Sequence, residues 1–432
     1  DCNCIQAWVW SALARHRRHV VVGYRSDHTA TEAYRQSLAL LRRCLSTAGF
    51  VASPVEVENY ARVWARDGII TGLAALASGD AELIAGMERT LDTLSHYQGP
   101  HGEIPSNVTI DGSQVSYGQL VGRVDALLWY VIGVCAYLHY LADPARHNQY
   151  RPFVERALFL AGCWEYNNRG LIYTPLAGNW ADEYVQQGYV LSDQVLYLLA
   201  LRGAGHIFGH QLWQEKAKTL EHIVTINYWP SLTSTHDLHI YHPHAYRYLL
   251  NRTEILHWLP AFSPAGYATY FDGLAHALAL LYGLGDDNQR QQAERYVQSL
   301  EMQIGNPLLP AFWPVIQSGD PAWDALAANH LYGQVKNQPY MYHNGGLWPM
   351  VNGFYVLGLM RSGQQERARH LLAAINVANA QAGSTGNAWS FPEYLHGQTH
   401  APMGTPHLAW SAAAGVLAHQ AVVHGITPLA LP

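Results

Sequence analysis

Charge is what this chain has least of. Of its 432 residues only 13% are Asp, Glu, Lys or Arg while 49% are hydrophobic, about half the usual charged share. That scarcity excludes a disordered or acidic-tailed chain and implies one large folded body with much buried surface. A net charge of -6 and a pI near 6.5 supply no basic field, which argues against a nucleic-acid partner. Lysine occurs three times against 23 arginines. Cysteine is also sparse: Cys2, Cys4, Cys44, Cys135 and Cys163 form an odd, scattered set, with one CxC and no second pair to complete a zinc site. They read as free thiols of a reducing compartment. With no signal-peptide pattern after the non-methionine start at Asp1, a cytoplasmic location and a processed or trimmed terminus are expected.

Long hydrophobic runs are nearly missing. The most apolar, ALLWYVIGVCAYLHYLA at 126–142, is interrupted by His139 and adjoined by Arg123 and Asp125. A membrane span needs about 20 predominantly apolar residues, so this run reads as a buried helix and no membrane partner is expected. There is no HExxH, no GxSxG elbow, no phosphate-binding GxxxxGK[ST] and no dinucleotide fingerprint on a strand. The histidine-rich HDLHIYHPH at 236–244 matches no zinc spacing. Neither a metal nor an organic cofactor is expected.

Strand-like alternation is scarce as well, whereas helical periodicity recurs throughout. Candidate helices fall near 30–48, 67–78, 80–97, 119–141, 150–163, 189–204, 210–227, 268–284, 287–303, 345–361, 364–380 and 405–424, with an extra one at 5–18. Every second member is rich in Ala, Leu, Gly and Val, such as LAHALALLYGLG, and several of the others carry more charge, such as DDNQRQQAERYVQSLEMQ. A helix apolar all round is buried and an amphipathic one faces solvent. Six alternations of inner and outer helix describe an all-α (α/α)6 barrel, a six-hairpin toroid. No linker divides the chain, so 1–432 reads as one domain, with 1–28 as an N-terminal extension.

All inner helices of such a toroid begin at one end, so the segments before them converge on one rim. Those segments hold the unusual residues: YARVWARDG, YGQLVGRVD, GNWADEY, SPAGYATYFDG, YHNGGLWP and FPEYLHGQ. The long connections at 228–267, 304–344 and 381–404 read as site-building loops. Acids on the rim are Asp67, Asp125, Asp182, Glu183, Asp193, Asp272 and Glu393. Hydrolysis of a glycosidic bond needs two such groups, one protonated to serve the leaving oxygen and one ionised to activate water or attack carbon. Burial against Trp180 or Trp389 is one way to keep a carboxyl protonated. An acid at a helix start also serves as a cap, so spacing alone does not separate the roles. With 14 Trp and 27 Tyr against 9 Phe, the chain is rich in rings that pair an apolar face with a polar edge. Trp64, Trp129, Trp180, Tyr184, Tyr267, Tyr270, Tyr342, Trp348, Trp389 and Tyr394 interleave with the acids, as in a carbohydrate pocket.

The ordered blocks YARVWARDGIITGLAALASGD, HGEIPSNV, GRVDALLWYVIGVCAY, NWADEYVQQGYVLSDQVLYLLAL, LPAFSPAGYATYFDGLAHALALL, YHNGGLWPMVNGF and FPEYLHGQ resemble the alkaline/neutral invertases. More distantly they resemble the amylo-α-1,6-glucosidase part of glycogen debranching enzymes. The likeness runs from about 58 to 422. It implies an (α/α)6 barrel and hydrolysis with inversion of a small α-glucoside, sucrose first, with Asp182 as general acid and Glu393 as general base. Asp67, Asp125, His343, Asn344 and Trp348 would hold the glucosyl unit, and Gly345–Gly346 would let the backbone pass close to the sugar. One departure stands out. The family has two arginines directly after the acid, where this chain has Glu183 and Tyr184, so the leaving group is open and Glu183 competes for the acid role. A small carbohydrate is the expected partner, and homo-oligomerisation is left open. Two other classes compete: a sugar isomerase or 2-epimerase using His343, His396 and the 236–244 histidines, and a non-catalytic sugar-binding helical protein.

Overall fold

The computed structural model describes residues 32–330, 333–383 and 386–429. The helix expected at 5–18, the extension at 1–28, Cys2 and Cys4 lie outside the described residues. Within them the chain forms α1 (Glu32–Arg43), α2 (Ala65–Ser78), α3 (Ala81–His96), α4 (Val124–Leu141), α5 (Pro144–Cys163), α6 (Leu191–Ile207), α7 (Gln211–Tyr228), α8 (Pro243–Leu250), α9 (Gly273–Tyr282), α10 (Asp287–Ile304), α11 (Trp323–Ala328), α12 (Pro349–Arg361), α13 (Gln365–Ala380) and α14 (Ala409–His424). Twelve of these correspond to the expected helices. The short α8 and α11 are additions inside connections that the sequence presents as loops.

Helices α2, α4, α6, α9, α12 and α14 pack side by side in that order, and α14 returns to α2 to close the ring. Helices α1, α3, α5, α7, α10 and α13 form the outer layer, giving the (α/α)6 barrel. The two layers differ as their compositions require. Helix α4 buries every residue from Val124 to Leu138, so the 126–142 run is an inner wall of the barrel. Helix α10 buries Ala293, Val297, Leu300 and Ile304, three or four residues apart on one stripe, and turns most of its charges outward, while Glu294 is buried against His276, Tyr355 and Arg367. Where inner helices touch, small residues set the spacing. A Cβ on Gly353 of α12 would lie 2.8 Å from the Ala414 Cα of α14, so only glycine permits that approach.

A helix leaves its first N–H groups without intrahelical partners, and side-chain caps are absent at five of the six inner helices. The rim supplies the partners instead. The first N–H of α2 donates to Ser106 O, of α4 to Gly178 O, of α6 to Pro260 O, of α9 to Ala311 O and of α14 to Ala52 O. Helix α12 starts at Pro349, which has no N–H to satisfy. Each connection thus caps an inner helix of the adjacent hairpin. The residues preceding these helices are extended and pair as short strands or bridges, such as Phe271–Asp272 with Phe312–Trp313 and Leu347 with Pro310 and Leu395. That pairing is why α4, α9 and α12 start four or five residues later than periodicity suggests.

Candidate active site

The rim segments before α2, α6, α12 and α14 meet in one cavity. Its walls carry Trp64, Arg66, Asp67, Trp180, Asp182, Tyr342, His343, Trp348, Glu393 and Trp410, with Ala52, Glu58, Asn59, Tyr60 and Lys336 completing the lining. Three carboxyls, Asp67, Asp182 and Glu393, are thereby buried in one enclosure built from distant parts of the chain.

Glu393 precedes the strand Tyr394–Leu395, which pairs with Pro402–Met403. Gly404 follows the second strand with φ +74, and a Cβ there would fall 2.4 Å from Glu393 Oε2. The glycine therefore leaves room for the carboxylate. Tyr60 donates its hydroxyl to Glu393 Oε1 at 2.8 Å and the Thr405 N–H donates to Oε2 at 3.1 Å. Burial raises this carboxyl to about 7, against the two donors and Lys336, which favour ionisation.

Asp182 lies in the loop closed by the Thr174–Gly188 bridge. Arg123 Nη2 stands 3.4 Å from its Oδ2, and Arg123 Nη1 donates to Ala177 O at 2.5 Å. A buried network braces the same loop. Asn179 accepts from the Ala181 N–H at 3.0 Å, donates to Asp193 Oδ2 at 3.2 Å and donates to Gln186 Oε1 at 3.0 Å. Gln186 in turn donates to Asp272 Oδ2 at 3.0 Å. Asp67, in the first turn of α2, is raised to about 6 by burial, with Arg66 opposing. Arg66 bridges Asp67 at 3.7 Å and Asp125 at 2.9 Å.

The apolar wall is an aromatic cage. His343 stacks on Trp348 with centroids 5.0 Å apart and planes 3° from parallel, and Trp180 stands edge-on to both at 4.8 and 5.5 Å. Burial holds the His343 imidazole well below its ordinary pKa, helped by the Arg66 and Lys336 cations, so it is neutral. Its Nδ1, together with Trp180 Nε1 and Trp410 Nε1, is buried without a protein hydrogen-bond partner. Buried polar groups in native proteins are nearly always paired, and the three residues that carry these atoms line the cavity.

The structure divides the residues singled out from sequence. Trp64, Asp67, Trp180, Asp182, His343, Trp348 and Glu393 come together in the cavity lining, as does Tyr342. Asp125 lies one layer behind, on Arg66. Asp193 accepts from Thr174 Oγ1 at 2.7 Å and from Asn179 Nδ2 at 3.2 Å, and burial raises it to about 8, so it braces the Asp182 loop. Asp272 caps α9 through the Ala275 N–H at 2.9 Å. Glu183 is buried outside the lining, and its carbonyl accepts from Asn337 Nδ2 at 2.9 Å. Tyr184 lies flat on Phe312 at 4.1 Å. Tyr394 stacks behind Trp348 at 5.4 Å. Tyr267 packs on Phe262, Trp389 sits beside Phe391, and neither lines the cavity. Trp129 is core, stacked on Phe354, and Tyr270 packs with Tyr184.

Asn344 also turns away from the cavity. Its side chain accepts from the Ile316 N–H at 2.8 Å and donates to Ile316 O at 2.9 Å, stapling the 304–344 connection to the rim. The glycine pair has a different purpose from the one expected. A Cβ on Gly346 would stand 2.2 Å from Tyr342 O and 2.9 Å from the Tyr394 ring, and Gly345 takes φ +92. The close approach is of the segment to its own Tyr342 carbonyl and to the Tyr394 ring, and neither glycine lines the cavity. Of the histidines weighed for proton transfer, only His343 does. His222 and His239 contact Asp237 at 2.9 and 3.1 Å in an outer cluster with a metal-compatible donor set.

Glu58, Asn59, Tyr60, Arg66, Lys336 and Trp410 are cavity residues that the sequence reading did not select. Tyr60 and Arg66 sit inside the YARVWARDG block, and Trp410 opens the last inner helix, where the convergence of helix starts places it on the rim. Lys336 had a subtler signal, being one of three lysines in the chain.

Residues 30–424 match the family described as alkaline and neutral invertase. Cytosolic invertase 1 of Oryza sativa subsp. japonica is 24% identical over 456 residues, covering 90% of this chain and 75% of that protein. Probable alkaline/neutral invertase D of Arabidopsis thaliana is 22% identical over 434 residues, covering 86% and 76%. Among solved structures, a bacterial glucoamylase complexed with acarbose superposes with a TM-score of 0.62 at 16% identity, over 93% of this chain and 57% of that one. A GH63 mannosylglycerate hydrolase from Thermus thermophilus in complex with glucose gives 0.62 at 14% identity, over 89% and 99%. With most of its length covered by that match, and an enclosed, acid-lined aromatic pocket at the open end of its barrel, the chain belongs to the alkaline and neutral invertase family of glycoside hydrolases.

Proposed function

We propose that this protein hydrolyses the α-glucosidic bond of a small, neutral saccharide or glucoside with inversion, sucrose being the first candidate. Asp182 protonates the leaving oxygen and Glu393 removes a proton from the attacking water. The observation that carries the reading is the placement of these two carboxyls, from loops 211 residues apart in sequence, in one cavity walled by Trp64, Trp180, Trp348 and Trp410. An aromatic face takes the apolar side of a pyranose, and the unpartnered ring nitrogens of Trp180, His343 and Trp410 match its hydroxyls. A general base works best with a pKa near the working pH, and Glu393 at about 7 meets that condition. We also propose a cytoplasmic location: the rice relative is named cytosolic, although relatives named chloroplastic and mitochondrial match too.

Proton NMR of the protein with sucrose, maltose, isomaltose, trehalose and glucosylglycerol tests this directly. Initial release of β-glucose from one of them is the expected result, because inversion places water between carboxyls about 6.5–9.5 Å apart. Initial α-glucose would replace inversion by retention. Conversion of a free monosaccharide without change of mass would turn the reading to an isomerase.

A further inference from the structure

The cavity has a closed end and an open end. His343 and Trp348 are 1% and 0% exposed, whereas the side chains of Glu58 and Lys336 are 51% and 26% exposed. In a dead-end pocket the unit being released fills the closed end and the rest of the substrate points to the opening. Residues at the opening therefore meet the leaving group. Glu58 and Lys336 are 278 positions apart in sequence, yet Lys336 Nζ reaches Glu58 Oε2 at 3.2 Å. Lys336 also lies 5.7 Å from the Tyr342 ring centroid, over the cavity wall.

We propose that the Glu58–Lys336 pair forms the leaving-group side of the pocket and selects glucosides with an uncharged, hydroxyl-bearing leaving group over anionic ones. This rests on the glucoside-hydrolase reading above. Three further observations support it. The lining holds four carboxyl groups, Glu58, Asp67, Asp182 and Glu393, against two cations, Arg66 and Lys336. Both cations are engaged: Arg66 with Asp67 and Asp125, Lys336 with Glu58. Burial opposes the charge of Lys336, and the carboxylates of Glu58, Glu393 and Glu183 more than restore it. An incoming carboxylate or phosphate thus meets the Glu58 carboxylate at the opening and cations that are already paired, a juxtaposition that disfavours like charge. Glu58 itself has φ +50, a left-handed backbone unusual for a non-glycine residue. Paired in this way, the carboxylate and ammonium still offer acceptors and donors to hydroxyl groups.

The test compares α-glucosylglycerol with α-glucosylglycerate, which differ by one carboxylate at nearly constant size. Both kcat/KM and quenching of the cavity tryptophans are read for the wild type, Glu58→Gln and Lys336→Met. The wild type should favour the glycerol compound by at least about tenfold, and Glu58→Gln, by releasing Lys336, should narrow that ratio by about tenfold. Lys336→Met should widen it. A wild-type ratio near one or inverted, or a ratio unmoved by both variants, overturns the proposal. If sucrose is cleaved and neither glycerol-type compound binds, this proposal falls and the hydrolase reading stands. If none of the three binds or reacts, both fall.

Discussion

At Glu393, burial and hydrogen bonding pull in opposite directions. Burial wins, and the carboxyl titrates near 7 although Tyr60 and the Thr405 N–H both stabilise its charge. A base must be ionised to act, so kcat/KM should fall as pH drops below about 7. A pH profile whose acid limb lies near 4.5 would remove Glu393 from that role. The two carboxyls can also be told apart by chemistry. Fluoride departs without protonation, so Asp182→Asn should lose about 10²–10⁴ in kcat on sucrose yet hydrolyse α-glucosyl fluoride well, while Glu393→Gln loses both activities. The reverse pattern would exchange the roles. These two residues, with Asp67, His343 and Trp348, are readable from the sequence blocks. Asp193 and Asp272 occupy similar positions at helix starts yet act as struts. Sequence shows an acid at a helix entrance, but it does not show that Asn179 and Gln186 have folded back to claim those acids.

At the scale of elements, the 340–349 segment shows how a loop can be read correctly as special and wrongly as to why. The polar residues and glycines mark it as site-building, and Tyr342, His343 and Trp348 do line the cavity. The glycine pair, however, lets the segment fold against itself, so that the Gly346 N–H at 3.1 Å and Trp348 Nε1 at 3.0 Å both donate to Tyr342 O. Gly346→Ala would drive a Cβ into that carbonyl. It should destabilise the fold by about 1–3 kcal/mol, as overpacking does, and raise KM by displacing Tyr342. Unchanged thermal unfolding and unchanged KM together would show that the turn tolerates the methyl group. The start of each inner helix follows the same logic. Periodicity locates the helix, but the entrance is set by a carbonyl on the adjacent hairpin, such as Gly178 O for Val124.

Across the whole molecule, the buried titratable groups set a pH window for stability. Asp67 and Asp272 are raised to about 6, Glu393 to about 7 and Asp193 to about 8. Each binds its proton more tightly folded than unfolded, so the stability it contributes is complete below the unfolded carboxyl pKa and is lost as pH rises through 6–8. His139 and His257 are lowered to about 4 by burial, and His343 well below its ordinary value. They favour the folded state above about 6.5 and that contribution is lost as pH falls toward 4. The two sets oppose each other between about pH 4 and 6.5 and only the carboxyl loss remains above that, so the thermal unfolding temperature should decline from pH 6.5 to 8 while kcat/KM rises. An unfolding temperature that climbs steadily from pH 6 to 8 would contradict this balance. A site that stores raised carboxyl pKa values does so at the expense of the fold.

Composition and periodicity determined the architecture of this protein. Helices apolar on every side have to be inner and helices with one apolar stripe have to be outer, and six alternations of the two close a ring. The identity of the acids was also present locally, in short blocks such as NWADEY and FPEY. Only the tertiary structure decided which of those acids face a cavity, that Asn344 is a staple where His343 is a wall, and that Glu58 meets Lys336 across 278 residues. The reason is physical. Burial pattern is a property of one helix and its period, whereas the direction of a rim side chain depends on hydrogen bonds and close contacts offered by connections far away in sequence.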